Sequence, residues 1–212
     1  MTDTCVELAA DPAVLATRDD IEAALRFHGE PVRFVGWNLA EAMLKGIDFN
    51  SCEFVRCRAA RADFSSCDLT DARFVSCDLN NTDWTRAILS AALFQDCRLT
   101  GMQLIAARTL GLSFERCLLV SAQLRGVSFR RAELEELDFE GADLTEADFR
   151  EAILTRCSLR DANVIHARFE GADLRSCDLG NLSLADAARF KGAIISKHQA
   201  AGLLSGLGLK VI

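Results

Sequence analysis

Proline is almost missing from this chain of 212 residues: Pro12 and Pro31 are the only two, and none follows position 31. A long stretch that keeps every backbone N–H available suits a structure held together by hydrogen bonds between chain segments. Histidine is also scarce, and His28, His166 and His198 are scattered. With no C-x-x-C pair beside them, no metal site is indicated and no cofactor is implied. No Ser/His/Asp or Cys/His set emerges from the spacing, so an enzyme acting on a small-molecule substrate is not expected. The chain also lacks a secretory apolar core and any apolar run of about twenty residues, which argues against export and against a membrane anchor.

What the chain has instead is a period of five. A Leu, Phe or close substitute recurs at every fifth position from Phe34 to Leu184, with weak centres only at Ala59 and Thr109. A small or apolar residue sits two places before each centre and a polar residue usually lies between, as in Ala62-Asp63-Phe64, Cys67-Asp68-Leu69 and Ala142-Asp143-Leu144. Neither the helical spacing of three and four nor the strand spacing of two fits. A short extended step followed by a turn does fit, and four such steps close a square lap of twenty residues.

The sequence marks the lap directly. Cys57, Cys77, Cys97, Cys117, Cys157 and Cys177 share one phase, broken only by Leu137, while Phe34, Phe54, Phe74, Phe94 and Phe114 share another. Residues one lap apart should stack on the same wall, about 4.8 Å from each other. Eight of the nine cysteines, Cys52 to Cys177, fall at the small inward position and are expected to be reduced core thiols, in keeping with a reducing cytoplasm.

This pattern resembles the pentapeptide-repeat family. The resemblance implies an all-β solenoid, a right-handed quadrilateral β-helix of about eight coils with short helical segments at both ends. The expected organisation is an N-terminal capping segment over 1–30, the repeat over 31–187 and a C-terminal capping or dimerisation segment over 188–212. Asp19 and Asp20 are placed to cap a first helix with Ile21, Ala24, Leu25 and Phe27 on one face and Gly29 at its end, a lid for the open first coil. Ser196 begins a second helix. The apolar tail beyond it, with Leu203, Leu204, Leu207, Leu209, Val211 and Ile212, either covers its own last coil or forms a homodimer interface. Thr109, with Met102 and Leu112 replacing small residues nearby, marks a local distortion.

The net charge of −7 is uneven. Residues 132–151 hold Glu133, Glu135, Glu136, Asp138, Glu140, Asp143, Glu146, Asp148 and Glu151 against the single base Arg150. None is at a centre or small position, so this acidic belt should face outward, either as a solvated surface or as a docking surface for a basic groove. Arg56, Arg58 and Arg61 form a small basic cluster without a groove-reading motif, so nucleic acid is not an expected partner.

A closer resemblance lies with the subgroup that modulates DNA gyrase and topoisomerase IV, the quinolone-resistance proteins and the immunity proteins of gyrase-poison producers. It is carried by Trp84-Thr85 followed by Phe94 and Cys97, by Leu112-Ser113-Phe114-Glu115-Arg116-Cys117, and by the tail from Gly192-Ala193-Ile194-Ile195 through Gln199 to Leu207-Gly208-Leu209. Plasmid-borne members carry projecting loops. The unbroken phase leaves no room for these, so the chain is similar to loopless members. The resemblance implies a non-catalytic, DNA-shaped dimer that binds gyrase or topoisomerase IV; a scaffold for another protein is the alternative.

Overall fold

The structure is a computed structural model that describes residues 5–28, 31–180, 187–206 and 208–210. It is a quadrilateral β-solenoid with two short helices. The described residues form two compact units, one ending at Leu118 and one beginning at Leu119. In the first unit, strands β1 (Val6–Ala9), β2 (Val32–Val35), β3 (Glu53–Val55), β4 (Arg73–Val75), β5 (Leu93–Gln95) and β6 (Ser113–Glu115) stack in order as one parallel sheet. In the second unit, β7 (Glu133–Glu135) pairs in parallel with β8 (Ile153–Thr155). The main sheet gives about six turns, against about eight expected from the phase of the repeat. Its register is one full lap where that was expected: Phe34, Phe54, Phe74, Phe94 and Phe114 are successive partners.

Local chemistry explains the pentad. The carbonyl of a centre accepts the N–H of the next small residue, as in Ala62 N to Ala59 O at 3.0 Å and Ala72 N to Leu69 O at 3.1 Å. The corner residue between them has positive φ, 60° at Arg61 and 58° at Asp71, which is the geometry of a type II turn. The remaining N–H groups bond to neighbouring laps. Phe64 donates to Asp83 O at 2.8 Å, Ser66 to Thr85 O at 2.9 Å and Asp83 to Ala62 O at 3.1 Å. Almost no N–H is spare, which is why proline is missing. The Asp before a centre has its own task. Asp63 Oδ1 accepts Ser65 N at 2.8 Å and Asp83 Oδ1 accepts Thr85 N at 2.8 Å, each an Asx-turn that fixes the next corner.

The lumen is filled as the ladders require. Every described centre from Phe34 to Leu179 is buried except Thr109 and Val164, which are half-buried. Ala59, weak in the sequence, is buried. Phe54 and Phe74 stack at 4.6 Å between centroids, Phe64 and Trp84 at 4.4 Å, and Phe149 and Phe169 at 4.9 Å. At about 1.5–3 kcal/mol for each fully buried large side chain, these columns supply the main driving force. Trp84 Nε1 donates to Thr82 Oγ1 at 2.8 Å, and Thr82 Oγ1 donates to Leu79 O at 2.7 Å, so the polar groups of these two buried side chains are satisfied.

The ends depart from expectation in detail. The N-terminal segment contributes a strand as well as a helix: β1 extends the wall ahead of the repeat, with Val6 opposite Val32. Helix α1 (Arg18–His28) is capped by Thr17 rather than by Asp19. Thr17 N donates to Asp20 Oδ2 at 2.8 Å and Asp20 N to Thr17 Oγ1 at 3.3 Å, a reciprocal box in which Asp20 is the third helical residue. Ile21 is fully buried and Ala24 and Leu25 are half-buried, whereas Phe27, expected on the same face, is 85% exposed. Gly29 lies outside the described residues, as does the last expected centre, Leu184. The stacking runs past 187. Phe190, in the 3-10 turn Ala187–Phe190, stacks on Phe169 at 5.0 Å, and Asp173 bridges to Ile194. Both are partners twenty-one residues apart, so one extra residue enters the final lap.

Candidate functional surfaces

Cys52 to Cys177 are buried and free, as their position in the pentad demands. Burial pushes Cys52, Cys67 and Cys157 up to about 11. Cys77 is driven further up, first by its hydrogen bonds to Cys57 and Cys97 and then by burial. Cys52, Cys67, Cys77 and Cys157 are thus protonated packing groups, not nucleophiles. Among the described residues no three His, Cys, Asp or Glu side chains converge to hold a metal ion, and no helix is long and apolar enough to cross a membrane.

The nine acids of the belt are all exposed or half-exposed. The fold spreads them over the four walls of one lap, so the belt is a ring and no single wall carries it. The fold also brings bases from neighbouring laps against them. Glu135 and Glu136 meet Arg156 at 2.5 and 2.8 Å, Glu146 meets Arg125 at 3.0 Å, and Glu151 meets Arg130 at 3.2 Å and Arg131 at 2.8 Å. Asp148 pairs with Arg150 at 2.5 Å, and that guanidinium is the main cause of its lowered pKa. Asp138 and Asp143 serve Asx-turns, accepting Glu140 N and Thr145 N at 3.0 Å each. Among the described residues only Glu133 and Glu140 of the nine lack both an ion pair and a turn role. Sequence windows missed this because Arg125, Arg130, Arg131 and Arg156 lie outside the belt in the chain but beside it in the coil.

The C-terminal helix α2 (Lys197–Gly206) starts where expected. Ser196 and Gln199 form a reciprocal cap, Gln199 N donating to Ser196 Oγ at 3.2 Å and Ser196 N to Gln199 Oε1 at 2.6 Å. Gln199 Nε2 also donates to Leu174 O and Cys177 O, both at 2.7 Å, so the helix sits on the last coil. Leu203 is half-buried, while Leu204 and Leu209 remain 39% and 56% exposed. Leu207, Val211 and Ile212 lie outside the described residues.

A coil of this geometry, built on this repeat, defines a class. The model of the pentapeptide repeat region matches residues 28–104 and 112–190, and the chain belongs to the pentapeptide-repeat family. The weak centre Thr109 falls in the stretch between the two matched segments. Among solved structures, full-length QnrB1, a plasmid-mediated fluoroquinolone resistance protein, is 23% identical over 97% of this chain and 98% of its own, with a TM-score of 0.76. A trypsin-treated form of QnrB1 is 24% identical over 98% of both chains, with a TM-score of 0.74. These likenesses establish a shared fold. No curated protein matches the chain.

Proposed function

We propose that this protein is a non-catalytic binder of type II DNA topoisomerase, gyrase or topoisomerase IV, that modulates the enzyme or protects it from quinolones or gyrase toxins. One observation carries the reading: the likeness to QnrB1 extends over 97–98% of this chain. It therefore takes in β1, α1 and α2, which the repeat alone does not specify. In this reading the chain forms a homodimer through Leu203, Leu204, Leu207, Leu209, Val211 and Ile212, and the belt of Glu133, Glu135, Glu136, Asp138, Glu140, Asp143, Glu146, Asp148 and Glu151 faces the enzyme. Glu133 and Glu140 are the carboxylates of that belt most open to a basic partner.

A second reading, a scaffold for a different protein, is favoured by the arginines that compensate the belt, since they weaken the field a basic groove would feel. Supercoiling assays with host gyrase and topoisomerase IV, with and without quinolone, separate the two. Inhibition or drug protection at low salt supports the first. No effect at large excess, together with a pull-down that recovers partners but no topoisomerase subunit, supports the second.

A further inference from the structure

Six bases far apart in the sequence share one wall of the second unit. Arg130, Arg131, Arg150, Arg168, Arg189 and Lys191 belong to the stacked segments 127–131, 147–151, 167–171 and 187–191. The register is set by Phe129 N to Asp148 O at 2.8 Å, Phe149 N to Arg168 O at 2.7 Å and Phe169 N to Arg189 O at 2.9 Å. All six are exposed or half-exposed. Only three acids share the wall: Asp148, Glu151 and Glu170. On the opposite wall the signs reverse, with Asp138, Glu140, Asp161 and Asp178 against Arg160.

The basic wall is not merely a neutral checkerboard. Arg130 is one lap from Arg150, and Arg168 one lap from Arg189, their backbones about 4.8 Å apart. Like charges placed opposite each other in neighbouring strands are unfavourable, and an anion across them relieves the repulsion. Asp148 and Glu170 each accept two guanidinium N–H groups and Glu151 accepts three, and Arg189 meets His166 Nδ1 at 2.8 Å, but a guanidinium has five donors.

We propose that this wall binds the phosphodiester backbone of duplex DNA without regard to sequence. Five of the six bases are arginine, whose planar fork matches phosphate bidentately. The wall offers no α-helix or two-stranded ribbon to enter a groove, so it meets the backbone and reads no base edges. Three lap steps span about 14 Å, the length over which a duplex presents about eight charges at one per 1.7 Å. This revises the expectation that nucleic acid is no partner. It is independent of any topoisomerase.

The test is fluorescence anisotropy of the full chain with a labelled random-sequence duplex from about 20 to 200 mM salt. For three phosphate contacts the affinity falls about 40-fold between 50 and 200 mM. The pair Arg168→Gln/Lys191→Gln lowers the salt slope by about 2, as expected for two lost contacts, while Arg58→Gln/Arg98→Gln in the first unit leaves it unchanged. No binding at 20 mM salt, equal loss in both pairs, or displacement by polyglutamate at equal charge concentration overturns the proposal. If circular dichroism shows the first pair misfolded, Lys191→Gln alone decides: an unchanged slope overturns it.

Discussion

Cys77 Sγ donates to the carbonyl of Phe54, 3.2 Å away in the preceding lap. The same contact recurs from Cys57 to Phe34 at 3.3 Å, from Cys97 to Phe74 at 3.4 Å and from Cys117 to Phe94 at 3.4 Å. These cysteines follow the corner after the strand wall, where the N–H of Cys77 meets Cys97 Sγ at 3.4 Å instead of closing a turn. The thiol column thus packs the lumen and bonds the one corner that the backbone leaves open. The native protein should leave Cys52 to Cys177 unreactive toward a disulfide reagent, and all nine thiols should react in denaturant. Cys77→Ala should lower stability by about 1–3 kcal/mol, from a small cavity and a lost weak donor, measured by urea unfolding.

Gln199 ties helix α2 to the last corner of the coil. Its amide donates to Cys177 O and to Leu174 O, which also accepts Cys177 N at 3.0 Å. Gln199→Ala also removes half of the helix cap. It should expose the last coil to hydrogen exchange and cost about 1–3 kcal/mol. Gln199→Glu retains the cap acceptor but loses both donors, so it should be no better than alanine in exchange at the last coil.

Much of the coil was legible because a period of five with a twenty-residue superperiod leaves few solutions. The inward thiols and the aromatic columns follow from it, and both helices were read from the capping residues at the two ends, Asp20 and Ser196. Three things were not legible. β1 carries no pentad, since Val6–Ala9 pairs by backbone register alone. The extra residue that places Phe190 on Phe169 breaks the phase after the last cysteine. The surface was the least legible, because Glu151 meets Arg131 only when laps twenty residues apart are stacked. Inward positions repeat and announce themselves, whereas outward charge depends on neighbours that no sequence window contains.

The corners store backbone strain that a single substitution should report. Ser66 has φ of 57° with an ordinary side chain. Left-handed backbone costs a non-glycine residue about 1–2 kcal/mol. Ser66→Gly should therefore match or slightly exceed the parent in thermal melting, because the relief is opposed by glycine's greater chain entropy. Ser66→Val should lose stability, because a β-branched side chain tolerates this conformation worst. Equal melting of the two variants would contradict the strain.

The ion pairs of the second unit should make it acid-sensitive in a defined direction. Glu151 is held below the usual carboxylate range by hydrogen bonds from Arg131 and Arg130, and Asp178 by Arg160 and then by the Gly180 N–H. A carboxyl lowered in the folded state contributes stability above its unfolded value, about 3.9 for Asp and 4.3 for Glu, and loses it as pH falls toward the folded value. The melting temperature should hold from pH 7 to about 5 and drop below 4. Glu151→Gln should melt below the parent at pH 7 and approach it at pH 3, where the parent carboxyl is itself protonated. Because Glu151 and its arginines are exposed, 1 M salt should also narrow the gap at pH 7. A gap that persists unchanged at pH 3 would show that the introduced amide packs differently and that charge is not the cause.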